Sequence, residues 1–187
     1  MALISRSEYE ARLRGVALLI TDVDGVLTDG SITYTESETE SKTFNVKDGS
    51  AVHIAKSIGL PVAVITARSS AAVARRFGEL PILRLYQDTF DKVAACRELR
   101  AELGLEPGQL AYLGDDLVEL PAMRDVGLGI AVADAHARVR AEAEWVLSTA
   151  GGRGALREVI DDIVEARDLW DVVLADYRSR ADDANGS

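Results

Sequence analysis

The segment from residue 16 to residue 29 constrains the fold of this chain more than any other. It reads VALLITDVDGVLTD, an apolar, β-branched run that ends in Asp22 and Asp24 just before a glycine. An uninterrupted apolar run predicts a strand that is buried on both faces, as in parallel sheets covered by helices. Ligands bind at the carboxyl ends of the strands in such sheets. The two aspartates are therefore predicted to lie in a functional site.

The rest of the chain alternates apolar runs with longer helical patterns. After a short opening helix near residues 6–13, the predicted strands are residues 16–21, 61–66, 82–86, 110–114, 128–132 and 144–148. Strict alternation indicates right-handed βαβ units, so the predicted fold class is α/β, a Rossmann-like parallel sheet with helices on both faces. We expect one domain over residues 1–172, because 187 residues suffice for only one well-buried core. Residues 173–187, which end in the polar segment DYRSRADDANGS, are predicted to be disordered.

The segment from about residue 30 to residue 46 breaks this alternation. Two short stretches rich in Thr, Tyr, Phe, Ile and Val surround the polar turn ESETE, a pattern that predicts a β-hairpin. A hairpin inserted directly after the candidate catalytic aspartates could act as a flap over the site or as an assembly surface. Isolated two-stranded hairpins are only marginally stable in water, which favours docking against another element or subunit.

Composition excludes several classes of function. The chain carries 21 basic and 31 acidic residues, a formal charge of −10, which disfavours binding to nucleic acid or to anionic membranes. Its one cysteine, Cys96, cannot form an internal disulfide, so a reducing compartment fits. No apolar run approaches the roughly 20 residues that a membrane-spanning helix needs, and the N-terminal residues lack a signal-peptide core. We expect a cytoplasmic protein.

Polar side chains follow several predicted strands at one edge of the sheet. They are Asp22, Asp24, Thr66, Asp115 and Asp116, joined by Lys92 in the first turn of a helix. Carboxylates, a hydroxyl and an ammonium group at the mouth of a parallel sheet suit metal-assisted phosphoryl transfer. Carboxylates from two strands form an oxygen site that fits Mg²⁺, and without a cation they would repel each other.

The same residues suggest a division of chemical work. Once Mg²⁺ and Lys92 cancel part of the charge, one aspartate can attack a phosphate group and form an aspartyl-phosphate. Asp24 could then protonate the leaving oxygen and later deprotonate water. The hydroxyl of Thr66 and nearby backbone N–H groups can hold the phosphoryl oxygens.

The motifs DVDGVLTD, ITAR, a lysine and GDD resemble, in this order, the four motifs of the haloacid-dehalogenase superfamily of phosphohydrolases. Four ordered motifs over about half the chain are a far more specific signal than a lone DxD. The resemblance implies a haloacid-dehalogenase-like fold with Mg²⁺ as cofactor. It implies Asp22 as nucleophile, Asp24 as general acid and base, Thr66 as phosphate ligand and Lys92 as charge organiser. For the metal it implies Asp22, Asp115, Asp24 through its backbone carbonyl, and the adjoining Asp116.

Longer stretches resemble one branch, the 3-deoxy-D-manno-octulosonate 8-phosphate phosphatases, from roughly Arg14 to Arg167. These stretches are FNVKDG, LYQDTFDK, AYLGDDLVELPAM, VGLGIAVADAH and GGRGALRE. The branch implies hydrolysis of a small phosphorylated sugar acid in lipopolysaccharide biosynthesis. It also implies an enzyme without a cap domain and a homotetramer assembled through the hairpin, in which neighbouring subunits help to close each site. The implied substrate-binding residues are Thr66, Ala67, Arg68 and Arg153, where the two guanidinium groups suit a carboxylate.

Other functions stay open. Ala67 and the segment Asp88-Thr89-Phe90 stand where the relatives usually carry glycine, so a phosphatase of a nonulosonate 9-phosphate is an alternative. A receiver-like phospho-acceptor domain also combines acids, Thr and Lys on a doubly wound sheet, but its acceptor aspartate ends a later strand. An inactive assembly module is a further alternative, which the complete set of motif residues disfavours.

Overall fold

The computed structural model describes residues 3–36 and 40–185. Its strands are β1 (Leu18–Thr21), β2 (Thr33–Tyr34), β3 (Glu40–Ser41), β4 (Val62–Ile65), β5 (Arg84–Tyr86), β6 (Leu110–Gly114), β7 (Leu128–Ala131) and β8 (Trp145–Val146). Six of them form one sheet in the order β5-β4-β1-β6-β7-β8, and each neighbouring pair is parallel. The predicted parallel α/β sheet is confirmed, and each of the six predicted strands contains one of these.

Helices connect the strands and cover the sheet. They are α1 (Arg6–Gly15), α2 (Val46–Ser57), α3 (Ala71–Gly78), α4 (Lys92–Leu103), α5 (Leu120–Asp125), α6 (Ala137–Glu142), α7 (Ala155–Ala166) and α8 (Trp170–Asn185). Helices α1 and α2 pack against α7, whereas α4 packs against α5. Because right-handed crossovers to opposite sides of β1 place their helices on opposite faces, these two groups form the two outer layers.

The centre of the sheet is the first strand. All residues of β1, β4, β6 and β7 are buried, as expected for strands covered on both faces. From β1 the chain moves in one direction to β4 and β5, and later returns to β6 on the other side of β1. The carboxyl ends of β1 and β6 therefore meet where the direction of winding changes, which is where ligands bind in open α/β sheets.

The segment predicted as a hairpin contains a very short antiparallel pair. Thr33 pairs with Ser41 and Tyr34 with Glu40, and no further pairs extend this ladder in the described residues. The polar turn was predicted at ESETE, of which residues 37–39 lie outside the described residues. Lys42 and the residues after it lead directly into α2, which begins with Asn45 as its N-cap.

The structure places a helix over most of the tail, where residues 173–187 were predicted to be disordered. Helix α8 runs to Asn185. Val173 is 2% exposed and packs into the core, so the start of this helix gains hydrophobic stabilisation that the polar residues after it lack. An i,i+4 ion pair between Asp176 and Arg180 adds local support.

None of the helices in the described ranges has the length and apolar content needed to cross a membrane. Cys96 is buried in α4, and burial raises the pKa of its thiol to about 12. A thiol in this environment stays protonated and unreactive at neutral pH.

Candidate active site

Three neighbouring strands deliver the polar side chains that the sequence analysis singled out. Asp22 follows β1, Thr66 follows β4 and Asp115 follows β6. The register pairs Thr21 with both Val64 and Leu113, so the three strands end at one level. Together with Lys92 these residues line an open cleft of about 180 Å³ at the carboxyl edge of the sheet.

Lys92 reaches the cleft because α4 begins at this residue. The side chain of Asp91 accepts a hydrogen bond from the backbone N–H of Ala94 at 2.9 Å and caps the helix. The ammonium group of Lys92, with a side chain 1% exposed, donates to Asp22 Oδ1 and to Glu119 Oε1, both at 2.6 Å. Burial lowers the pKa of Lys92, but the carboxylates of Asp22 and Glu119 together raise it above its ordinary value.

Three carboxylates converge beside this lysine. Oxygens of Asp22, Asp115 and Glu119 lie within 4.8 Å of one another. Burial raises the pKa of Asp22 to about 6, opposed by the nearby Lys92. Burial and then the charges of Glu119 and Asp22 raise the pKa of Asp115 to about 8. The cluster therefore holds more negative charge than Lys92 alone can balance, and a cation would relieve it.

The donors of this cluster fit Mg²⁺. All three are carboxylate oxygens, and Asp115 Oδ1 is buried without a hydrogen-bond partner among the described residues. Gly25 has a φ of +90°, and a Cβ atom there would lie 2.0 Å from Asp115 Oδ2. Only glycine leaves room for the Asp115 carboxylate at this place. A hard divalent ion could bind the unpaired oxygen of Asp115 together with oxygens of the other two carboxylates.

The predicted metal-binding set differs from this cluster. Of the predicted residues, Asp22 and Asp115 belong to this cluster and the side chains of Asp24 and Asp116 do not; its third member is Glu119. Asp116 instead accepts a hydrogen bond from the backbone N–H of Leu117 at 2.8 Å and caps a short 3₁₀ helix. The backbone carbonyl of Asp24 stays a predicted ligand.

Asp24 lies among charged side chains from two other parts of the chain, the hairpin segment and the residues after β4. Its Oδ1 accepts a hydrogen bond from Lys42, which also pairs with Glu40 at 3.1 Å. Arg68 donates to Glu40 Oε2 at 2.7 Å, and its Nε lies 3.9 Å from Asp24 Oδ2. Burial raises the pKa of Glu40, but hydrogen bonds from Arg68 and Lys42 lower it below its ordinary value. We call these four residues the charged ring; its formal charges sum to zero.

The predicted phosphate-binding residues lie in the cleft. Thr66 is 1% exposed, and its hydroxyl accepts a hydrogen bond from the backbone N–H of Arg68 at 3.3 Å. Ala67 and Arg68 complete this side of the cleft. The backbone of Asp88, which donates to the carbonyl of Arg68 at 3.3 Å, has a φ of 54°. This left-handed conformation favours glycine and is tolerated by Asp, so the sequence departure at residue 88 is accommodated with some strain.

The structure does not bring Arg153 to this cleft. Arg153 lies in a separate surface depression with Arg6, Lys47 and Arg157. The glycine-rich loop before it does support the site: a Cβ atom on Gly151 would lie 1.9 Å from the carbonyl oxygen of Gly25. The loop therefore packs against the DVDG turn through its backbone, while the guanidinium group of Arg153 faces elsewhere.

Sequence reasoning missed three residues of the site. Glu119 stands three residues after Asp116, and its Oε2 accepts a hydrogen bond from the backbone N–H of Asp116 at 2.8 Å. The spacing of a capping box, an acid three residues after an N-cap acid, was the available signal. Glu40 and Lys42 gave no such signal, because their contacts depend on how the segment folds back over Asp24.

Sequence comparisons relate this chain to known hydrolases. Residues 79–159 match the family model of haloacid dehalogenase-like hydrolases. Over 157 residues the chain is 45% identical to the 3-deoxy-D-manno-octulosonate 8-phosphate phosphatase KdsC of Yersinia pestis, covering 84% of each protein.

Solved structures of similar proteins share most of this fold. One is the 3-deoxy-D-manno-octulosonate 8-phosphate phosphatase of Moraxella catarrhalis in complex with magnesium, phosphate and KDO. Its TM-score is 0.88 at 39% identity, covering 92% of this chain and 99% of that one. A second is the cobalt-bound deoxy-D-mannose-octulosonate 8-phosphate phosphatase of Haemophilus influenzae, with a TM-score of 0.80 at 40% identity, covering 83% and 91%. These proteins and this chain share one fold over most of their length.

Proposed function

We propose, since this chain belongs to the haloacid dehalogenase-like hydrolases and among them to the 3-deoxy-D-manno-octulosonate 8-phosphate phosphatases, that it releases phosphate from that sugar acid. The protein is a Mg²⁺-dependent phosphomonoesterase. The observation that carries the proposal is the buried pairing of Asp22 with Lys92 beside two further carboxylates. This arrangement supplies a nucleophile, a fixed positive charge and an oxygen site for a divalent ion in one cleft.

The first half of the reaction follows from the surroundings of Asp22. Lys92 donates to Oδ1 of Asp22 at 2.6 Å and keeps this carboxylate ionised and oriented. We assign Oδ2 as the oxygen that attacks phosphorus, forming an aspartyl-phosphate while the bond to the sugar oxygen breaks. Asp24 gives its proton to that leaving oxygen. The hydroxyl of Thr66 and the N–H groups near it bind the phosphoryl oxygens as their charge redistributes.

The second half returns the enzyme to its starting state. Asp24, now a carboxylate, takes a proton from a water molecule that attacks the aspartyl-phosphate. Inorganic phosphate leaves and Asp22 is regenerated. We assign Asp22, Asp115 and Glu119 as the residues that hold Mg²⁺, together with the backbone carbonyl of Asp24. When bound there, the ion would neutralise the phosphoryl oxygens and let an anionic substrate approach the acidic cluster.

Arg68 is the residue that we assign to the carboxylate of the sugar acid. It lines the cleft with its side chain 41% exposed, and a guanidinium group binds a carboxylate through two parallel hydrogen bonds. Without substrate, Glu40 accepts a hydrogen bond from this guanidinium group. A bound substrate would put its own carboxylate in the place of the Glu40 carboxylate. Arg153 could contact substrate only from a neighbouring subunit or after a rearrangement of its loop.

The hairpin is the surface that we propose for assembly into a homotetramer. Ile32 and Tyr34 are exposed apolar residues on this segment, and a pair of two-residue strands has little stability of its own. We further propose that residues 1–172 act as one phosphatase domain and that the protein works in the cytoplasm, within lipopolysaccharide biosynthesis. A single core that extends from Tyr9 to Val173 supports the first of these assignments.

The test of this function is a comparison of substrates. Phosphate release is measured with 3-deoxy-D-manno-octulosonate 8-phosphate, a nonulosonate 9-phosphate and a hexose 6-phosphate, each with Mg²⁺ and with a chelator. We expect the highest kcat/KM for the octulosonate and loss of activity with the chelator. A higher kcat/KM for the nonulosonate would reassign the substrate.

Two variants complete this test. Asp22→Asn is expected to abolish phosphate release without unfolding the chain, whereas Asp171→Asn, which makes the same change on the exposed side of α8, should keep full activity. Substantial turnover by Asp22→Asn would overturn the assignment of the nucleophile.

A further inference from the structure

The charged ring links the hairpin segment to the active site. Asp24 and Arg68 line the cleft, and Glu40 and Lys42 belong to the hairpin segment. Opposite charges alternate around the ring. Lys42 and Arg68 each pair with both carboxylates, but Lys42 is the one that hydrogen-bonds to Asp24, whereas Arg68 lies 3.9 Å from it.

Lys42 is buried more completely than a folded hairpin requires. Its side chain is 0% exposed, whereas the neighbouring side chains of Asp24 and Glu40 keep 20% and 15% exposure. A buried ammonium group loses its hydration, and only close carboxylates offset that cost. Strands of two residues could lie on the surface with this lysine in solvent. The burial of Lys42 at Asp24 therefore calls for a reason beyond local folding.

The two oxygens of Asp24 have different surroundings. Oδ1 accepts the hydrogen bond from Lys42. Oδ2 is buried and has no hydrogen-bond partner among the residues that the structure describes; the nearest cation is Arg68 Nε at 3.9 Å. A carboxylate with one oxygen bound cannot rotate freely about its last bond. The contact with Lys42 thus fixes which oxygen of Asp24 is left for a substrate.

We infer that Lys42 is a positioning residue, which holds Oδ1 of Asp24 so that Oδ2 meets the oxygen of the leaving group. This inference rests on the proposed function. In the step concerned, an oxygen of Asp22 bonds to phosphorus and the bond from phosphorus to the sugar oxygen breaks. The electron pair of that bond goes to the sugar oxygen, which takes the proton from Oδ2 of Asp24. The products are an aspartyl-phosphate, a neutral alcohol and the Asp24 carboxylate.

This role predicts a dependence on the leaving group. An alkoxide is a poor leaving group and needs the proton from Asp24, whereas nitrophenolate leaves without one. The ratio kcat/KM reports on steps up to the first irreversible one, which here is the departure of the leaving group. A misplaced Asp24 should therefore lower kcat/KM for alkyl phosphates and leave that for an aryl phosphate nearly unchanged.

The experiment compares three substrates in the full chain with Mg²⁺. They are 3-deoxy-D-manno-octulosonate 8-phosphate, glycerol 1-phosphate as an alkyl phosphate without a carboxylate, and p-nitrophenyl phosphate. The variants are Lys42→Met, and Lys42→Gln, which keeps an N–H donor but carries no charge. Lys56→Met, an exposed lysine near the end of α2, is the matched control.

For Lys42→Met we expect kcat/KM to fall about 10–100-fold for both alkyl phosphates and less than about threefold for p-nitrophenyl phosphate. Lys42→Gln should show a smaller loss with the same pattern, and Lys56→Met should match the unmodified chain. Equal losses for all three substrates, or no loss, would overturn the inference. A loss confined to the sugar acid would also overturn it and make Lys42 a substrate-binding residue. Failure of the unmodified chain to hydrolyse any alkyl phosphate would instead refute the proposed function.

Discussion

Replacing Glu119 by Gln tests how much this carboxylate contributes to the stability of the fold and to the binding of Mg²⁺. Glu119 accepts two hydrogen bonds, from Lys92 to Oε1 at 2.6 Å and from the backbone N–H of Asp116 to Oε2 at 2.8 Å. Glutamine has one acceptor oxygen, so its NH₂ group must face one of these two donors. One buried donor is then left unpaired, which costs about 1–3 kcal/mol.

The full cost of breaking a buried ion pair does not apply to this substitution. Removing one partner of such a pair costs about 3–5 kcal/mol when the remaining charge is left alone. Here Lys92 keeps Asp22 at 2.6 Å. The variant also removes a negative neighbour of Asp115, so the pKa of Asp115 should fall from its value of about 8. We therefore expect a net loss of about 1–3 kcal/mol in the free energy of unfolding without metal.

Loss of a carboxylate should also weaken binding of Mg²⁺. We expect the affinity to fall by about 10–100-fold, as for residues that support a metal site directly or through its ligands. Unfolding in urea without metal and calorimetric titration with Mg²⁺ measure the two effects. Glu102→Gln, which removes the same charge from an exposed pair with Arg84, serves as control and should change stability by at most about 1 kcal/mol. If Glu119→Gln matches this control in both stability and affinity, Glu119 takes no part in the cluster.

Three further substitutions have expected outcomes. Gly25→Ala should abolish Mg²⁺ binding and activity, because its Cβ would lie 2.0 Å from Asp115 Oδ2; unchanged calorimetric binding would contradict this. Asp88→Gly should raise the free energy of unfolding by about 1 kcal/mol, because glycine adopts a φ of 54° without strain. A lower free energy of unfolding in urea would show that the Asp88 carboxylate stabilises the fold by more than this strain costs. Burial raises the pKa of Asp48 from 3.8 to about 6. Between these two pH values the folded chain binds more protons than the unfolded chain, so the free energy of unfolding falls as the pH rises from about 4 to about 6. Asp48→Asn, which cannot ionise, should lose this part of the pH dependence, about 3 kcal/mol at most, and an unchanged pH profile of unfolding would refute the assignment.

The sheet and the centre of the site could be predicted from sequence because both depend on local patterns. The apolar run at β1 predicts a buried strand, and the rule that ligands bind at strand ends places Asp22, Thr66 and Asp115 together without knowledge of any contact. The position of Lys92 also follows from local order, since Asp91 caps the helix at that point. Each of these placements needs only the strand order that right-handed crossovers impose.

The remaining features depend on contacts between distant segments. The place of Glu119 in the cluster depends on the packing of the 3₁₀ helix against Lys92, and the charged ring depends on the path of the chain after Asp24. Arg153 was predicted at the site because its segment, GGRG, resembles that of the phosphatase branch. Those glycines instead allow the loop backbone to pack on Gly25, and this orients Arg153 away. Helix α8 was missed because its first turns pack on the core through Val173, whereas the polar residues from Asp176 onward suggested disorder.

The assignment of Asp22 as the nucleophile is tested by identifying the residue that becomes phosphorylated. Asp24→Asn should slow breakdown of the aspartyl-phosphate, because the water molecule loses its base. The intermediate should therefore accumulate when this variant is mixed with Mg²⁺ and p-nitrophenyl phosphate, whose leaving group needs no proton from residue 24. After a rapid acid quench, peptide mass spectrometry should find one phosphoryl group on Asp22. Phosphate release without any phosphorylated enzyme, or a phosphoryl group on another residue such as Asp115, would contradict the account.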